Sequence, residues 1–124
     1  MEPLIFKAVR QNPEIVLDSK QNIFRIWGRS APEDAAEFYK PVLDWLTLYF
    51  QNPNSTTVLQ FKYFYYNTSS SKMILQILKI LSSEFEKGVA ISIEWLYPQD
   101  DEDLLEAGQE YSEIAEIPFE LVPY

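Results

Sequence analysis

Val58-Leu59-Gln60-Phe61-Lys62-Tyr63-Phe64-Tyr65-Tyr66 is a run of β-branched and aromatic residues that breaks off at Asn67-Thr68-Ser69-Ser70-Ser71-Lys72. Nearly every position of the run is apolar, the pattern of a central strand covered on both faces. Beyond the polar turn, Met73, Ile74, Ile77, Leu78, Leu81 and Phe85 follow helical spacing, which predicts a helix that ends at Gly88. Val89, Ile91, Ile93 and Trp95 then alternate with Ala90, Ser92 and Glu94, a second strand with one face more apolar than the other. Strand, helix and strand in this order form a βαβ unit, whose right-handed crossover lays a helix on a parallel sheet. An α/β fold follows.

Upstream, Ile15 to Asp18 and Ile23 to Trp27 read as two short strands joined by a hairpin turn over Ser19, Lys20, Gln21 and Asn22, with Gly28 ending the second strand. Ser30, as N-cap, then opens a helix with Pro32 in its first turn and Glu33 and Asp34 near the positive end of the dipole. Ala35, Phe38, Tyr39, Val42, Leu43, Leu46, Tyr49 and Phe50 mark one buried face of that helix, and Asn52-Pro53 stops it. Past Pro98, the acids Asp100, Asp101, Glu102 and Asp103 precede a short helical pattern with Leu104, Leu105, Ala107 and Tyr111, and Phe119 to Val122 closes the chain as a strand. The expectation is a single domain over residues 1–124: a mixed sheet of about four to six strands, two long helices and a short third.

Composition removes most kinds of chemistry. With no cysteine and no histidine there is no disulfide, no thiolate or imidazole metal site and no histidine-based triad. The only glycines, Gly28, Gly88 and Gly108, cannot compose a P-loop or a dinucleotide fingerprint, and no cofactor is expected. A formal charge of -9, from 19 acids and 10 bases, repels nucleic acid and anionic lipid, so protein partners are expected. The start of the chain lacks the features of a secretory signal and no segment approaches a membrane span, which makes the cytoplasm the default location.

The turn from Asn67 to Lys72 joins a central strand to a helix, where strand carboxyl ends and free helix amides create anion sites in α/β sheets. Its plain reading is that Ser69 or Ser70 caps the helix while the other hydroxyls satisfy free backbone amides. A phosphoryl group here would add about -1.5 to -2 charge beside those amides and near Lys72, changing which partner docks. Ser69 and Lys72 also fit S-x-x-K, a spacing used in acyl transfer, but the companion motifs are missing. Asp100 to Asp103 lack the spacing and glycine of a calcium loop and read as a solvated helix start. The aromatics Tyr63 to Tyr66 have too few basic neighbours to stack bases and read as core and strand-end packing.

Gly28-Arg29-Ser30-Ala31-Pro32-Glu33, Phe38-Tyr39-Lys40-Pro41-Val42-Leu43-Asp44-Trp45-Leu46, Tyr66-Asn67-Thr68-Ser69-Ser70-Ser71-Lys72 and Asp100-Asp101-Glu102-Asp103 with Ala107-Gly108 together resemble the SiaC-type regulatory phosphoproteins, over nearly the whole chain. The chain departs from that pattern at Asn12-Pro13 and at Ala31. The resemblance implies a fold similar to anti-anti-sigma factor (STAS) domains and places the phosphoacceptor on Thr68, flanked by Asn67, Ser69, Ser70, Ser71 and Lys72. It implies a serine/threonine kinase that adds the phosphate and a PP2C-like phosphatase that removes it. The unmodified form would bind and activate a diguanylate cyclase, linking the protein to cyclic-di-GMP signalling and biofilm behaviour, with Asp100, Asp101, Glu102 and Asp103 as candidate partner contacts. Ser69 and Ser70 stay open as alternative acceptors. A constitutive scaffold, and a small enzyme built on Ser69 and Lys72 or on the acids, are the competing readings.

Overall fold

A computed structural model describes residues 1–124. Its elements, in order, are β1 (Leu4–Phe6), β2 (Glu14–Asp18), β3 (Ile23–Ser30), α1 (Ala35–Tyr49), β4 (Thr57–Tyr66), α2 (Thr68–Glu86), β5 (Ile91–Tyr97), α3 (Glu102–Ala115) and β6 (Phe119–Pro123). One mixed sheet runs β1-β2-β3-β4-β5-β6. Its first three strands form an antiparallel meander, and β3 to β6 are parallel, each joined to the next through a helix. The expected α/β class, the hairpin, the βαβ unit and the closing strand are all present.

Successive right-handed crossovers that advance in one direction along a sheet put every helix on the same face. β4 records the result: Thr57, Leu59, Phe61 and Tyr63 are buried, while Val58 and Phe64 are exposed and Gln60 and Lys62 half-buried. The expectation of a strand covered on both faces is therefore corrected. Val58 and Phe64 on its outer side stay exposed, and the neighbouring rings of that open face, Trp27 and Tyr124, are covered by cations. Lys62 Nζ stands 4.9 Å from the Trp27 ring and 4.7 Å from that of Tyr124, and the Arg25 guanidinium lies 4.4 Å from Trp27. Such contacts keep aromatic faces covered without a second layer of helices.

Three further local expectations change. Gly28 does not end β3; at φ +120° it carries the strand onward, and the register with β4 slips between Gly28 and Arg29. Ser30 is the buried last residue of β3 rather than a cap, and Asp34 caps α1 by accepting the Glu37 amide at 3.1 Å. α3, expected short, has 14 residues against 15 in α1. β1, three residues long, was not anticipated from the sequence; Leu4, Ile5 and Phe6 pair with Leu17, Val16 and Ile15. In the hairpin turn the Asp18 carboxylate accepts the Lys20 and Gln21 amides.

Trp95, 1% exposed, anchors the carboxyl half of the core. Its indole N–H donates to the Leu104 carbonyl at 2.9 Å, and α3 comes so close that a Cβ on Gly108 would lie 2.6 Å from Trp95 Cδ1 and 2.7 Å from a methyl of Leu121. Gly108→Ala forces α3 off the sheet, and the expected cost of overpacking is about 1–3 kcal/mol. A lower urea midpoint with an unchanged slope checks it.

Candidate modification turn at the start of α2

β4 leads directly into Asn67, whose extended backbone (φ -89°, ψ 175°) turns the chain into α2. Asn67 is the N-cap. Its Oδ1 accepts the Ser70 amide at 2.9 Å and its carbonyl accepts the Ser71 amide at 3.0 Å, while its own amide donates to the Ser30 carbonyl at 3.0 Å. The expectation that Ser69 or Ser70 caps the helix is corrected, because the residue with cap geometry is the one leaving the strand. The amides of Thr68 and Ser69 have no intrahelical partner, and the first turn of α2 contains no acid to offset its positive end.

The turn's hydroxyls have different fates. Thr68, the first helical residue, and Ser69 are exposed. Ser70 is fully buried. Ser71 is half-buried, with its hydroxyl 2.8 Å from that of Tyr111 on α3. Lys72 is exposed one helical turn beyond Thr68, and no hydrogen bond joins it to Ser69, so the S-x-x-K spacing acquires no matching geometry.

Behind the turn lies a polar group that the sequence reading did not find. Ser70 Oγ donates to the Ser30 carbonyl at 2.9 Å and sits 2.8 Å from Ser30 Oγ. Ser30 Oγ is 2.6 Å from the Tyr39 hydroxyl, which is 3.0 Å from that of Tyr63. Burial penalises the phenolate, so the Tyr39 hydroxyl titrates above its ordinary value and that of Tyr63 well above it, the latter also raised by Tyr39 beside it. Tyr66, packed near Tyr111, is raised as well, again chiefly by burial. The available signal was that a tyrosine on the core face of a helix needs a partner for its hydroxyl.

The other candidates lie apart from these hydroxyls. Asp101 caps α3 by accepting the Leu104 amide at 3.0 Å, and Asp100, Glu102 and Asp103 are exposed around it beside Pro98. No three acidic groups converge in a way that could hold a metal ion. Of the aromatic run, Tyr63 is core, but Phe64 and Tyr65 both face outward at the register slip, with the Arg29 guanidinium 4.4 Å over the Tyr65 ring. No helix is long and apolar enough to cross a membrane.

A family model describing SiaC family regulatory phosphoproteins matches residues 6–124. The chain belongs to that family. An uncharacterized protein of Pseudomonas aeruginosa strain UCBPP-PA14 is 28% identical over 119 residues, covering 96% of this chain and 94% of that one. Apo-SiaC from Pseudomonas aeruginosa superposes with a TM-score of 0.91 at 26% identity, over 98% of this chain and 99% of the other. SiaC of the same organism, in complex with the diguanylate cyclase SiaD that it activates, gives 0.92 at 26% identity over the same shares. The regulatory class that the resemblance implies is thus shown.

Two outcomes follow from the geometry. Asn67→Ala should cost about 0.5–2 kcal/mol as a lost cap, and Ser69→Ala less than about 0.5 kcal/mol as an exposed change; chemical denaturation of both variants ranks them. The buried tyrosines set a pH dependence. Above the ordinary phenol pKa of about 10 the unfolded chain releases phenolic protons that the fold retains, so their contribution to stability is complete below that pH and declines as pH rises beyond it. Tyr39→Phe should flatten this alkaline fall, read from melting temperature across the range.

Proposed function

We propose that this protein is a phosphorylation-controlled activator of a diguanylate cyclase, with Thr68 as the switch residue. The observation that carries the reading is the likeness, along almost the full chain, to SiaC captured in complex with the cyclase it activates. The exposed position of Thr68 on the first turn of α2 supports the site. In the proposed cycle Thr68 Oγ1 attacks the γ-phosphorus of ATP held by a serine/threonine kinase. ADP leaves, and the hydroxyl proton passes to a base of the kinase. A PP2C-like phosphatase hydrolyses the ester and returns the hydroxyl and inorganic phosphate. Both steps take place in the cytoplasm.

The turn is suited to carrying the phosphate without unfolding. The new charge of about -1.5 to -2 meets a helix N-terminus with free amides and no competing acid. Lys72 lies four residues further along, in the favourable order of anion before cation. The fold therefore persists, and the switch acts through the surface it presents. That surface is already uneven: nine of the nineteen acids lie between Asp100 and Glu120, where there is no lysine or arginine, so the other ten acids are matched by ten bases. Asp100, Asp101, Glu102 and Asp103 belong to this acidic segment as proposed partner contacts.

Incubation with lysate of the source cells and ATP, followed by fragment-ion mass spectrometry across Asn67 to Lys72, should find phosphate on Thr68. Unmodified protein and Thr68→Ala should stimulate cyclic-di-GMP synthesis by the cognate cyclase, and Thr68→Glu should not. Equal stimulation by all three forms would leave a constitutive scaffold as the better reading.

A further inference from the structure

The hydroxyls behind the modification turn have a fixed direction. A hydroxyl has one proton to donate, and a carbonyl can only accept. Ser70 donates to the Ser30 carbonyl, so at its contact with Ser30 Oγ it must be the acceptor. Ser30 has then given its only proton, and the 2.6 Å contact with Tyr39 must be donated by Tyr39. By the same count, Tyr63 donates to Tyr39 at 3.0 Å. The chain runs one way, from Tyr63 through Tyr39, Ser30 and Ser70 to the carbonyl of Ser30.

That carbonyl also accepts the Asn67 amide. One oxygen thus receives both the end of the hydroxyl chain and the residue that caps α2. Four elements meet in this arrangement: β3 through Ser30, α1 through Tyr39, β4 through Tyr63 and α2 through Ser70. Ser70 is committed to the interior, with its proton in use and no exposed surface at which a phosphate could form.

We infer that Ser30, Tyr39 and Tyr63 are positioning residues that narrow the choice of acceptor: their hydroxyl chain draws Ser70 inward and holds the Asn67 cap, so that the turn presents Thr68, with Ser69 beside it, to a protein kinase and withholds Ser70. Tyr111 complements them by engaging Ser71. Of the consecutive hydroxyls Thr68, Ser69, Ser70 and Ser71, only the first two face solvent free of such bonds. This selection rests on the switch reading above, whereas the positioning of the turn does not.

The test uses Tyr39→Phe, which keeps the ring and removes the donor, with Ser30→Ala as a second variant. Amide hydrogen exchange at Asn67, Ser70 and Ser71 should accelerate roughly two- to tenfold, the factor associated with one lost hydrogen bond, while the Ile93 amide in β5 keeps its wild-type rate. In lysate with ATP, the fraction of total phosphate carried by Ser70 should rise from near zero at the expense of that on Thr68. Unchanged exchange at the turn, or a uniform rise that includes Ile93, overturns the positioning role. Faster exchange at the turn with an unaltered phosphate distribution overturns acceptor selection. If the wild-type protein takes no phosphate anywhere, the switch reading fails, and the exchange measurement still decides the positioning.

Discussion

The Ser30 carbonyl oxygen receives two donors from the neighbouring strand–helix turn, the Asn67 amide at 3.0 Å and the Ser70 hydroxyl at 2.9 Å. It lies at the carboxyl end of a parallel strand, where the backbone of β3 would otherwise finish with unpaired polar groups inside the protein. Pairing it with the start of α2 fixes where that helix begins. The register slip beside Gly28 advances β3 along β4 just far enough for Arg29 and Ser30 to face Tyr65 and Tyr66. The location of the turn thus depends on a glycine conformation nearly forty residues upstream. A strand that stopped at Gly28 would leave the cap residue without its anchor.

The parts legible in the sequence were those governed by periodicity. The faces of α1 and α2, the alternation in β5 and the Ile15–Asp18 and Ile23–Trp27 pair each repeat a local pattern over enough residues to be unambiguous. The strand-to-helix junction at Asn67 was legible for a similar reason, since strand and helix patterns collide there, but Thr68 to Lys72, read as a polar turn ahead of the helix, are already part of α2. What escaped depended on tertiary pairing. Leu4–Phe6 is a strand only because β2 lies beside it, and three residues carry no readable period. Ser30 resembled a cap because a serine shortly before a proline usually is one; its true role is set by Tyr39 and Ser70, nine and forty residues away. The run through Val58 and Phe64 suggested burial on both faces because hydropathy counts apolar positions without registering which side of the sheet the helices cover; both residues are exposed on the open side.

A regulatory surface on a small domain must change its charge without loosening its core. Here the two demands are separated across a single helical turn. Thr68 and Ser69 face outward over unpaired amides, and Ser70 and Ser71 are tied to tyrosines or to groups that tyrosines hold. The buried hydroxyls are all satisfied, which avoids the cost of an orphaned polar group in a low-dielectric interior. α3 contributes to this rigidity from the other side, seated on Trp95 through Gly108 and reaching Ser71 through Tyr111.

The concentration of unbalanced charge between Asp100 and Glu120 gives the molecule an electrical polarity, one flank strongly negative and the remainder near neutrality. In dilute salt such a body rotates in the field of an oppositely charged partner before any surfaces touch, so that the flank formed by α3 leads the approach. Because the screening distance at cellular ionic strength is only about 8 Å, this alignment operates over the last moments of an encounter. It favours a productive orientation over a faster search.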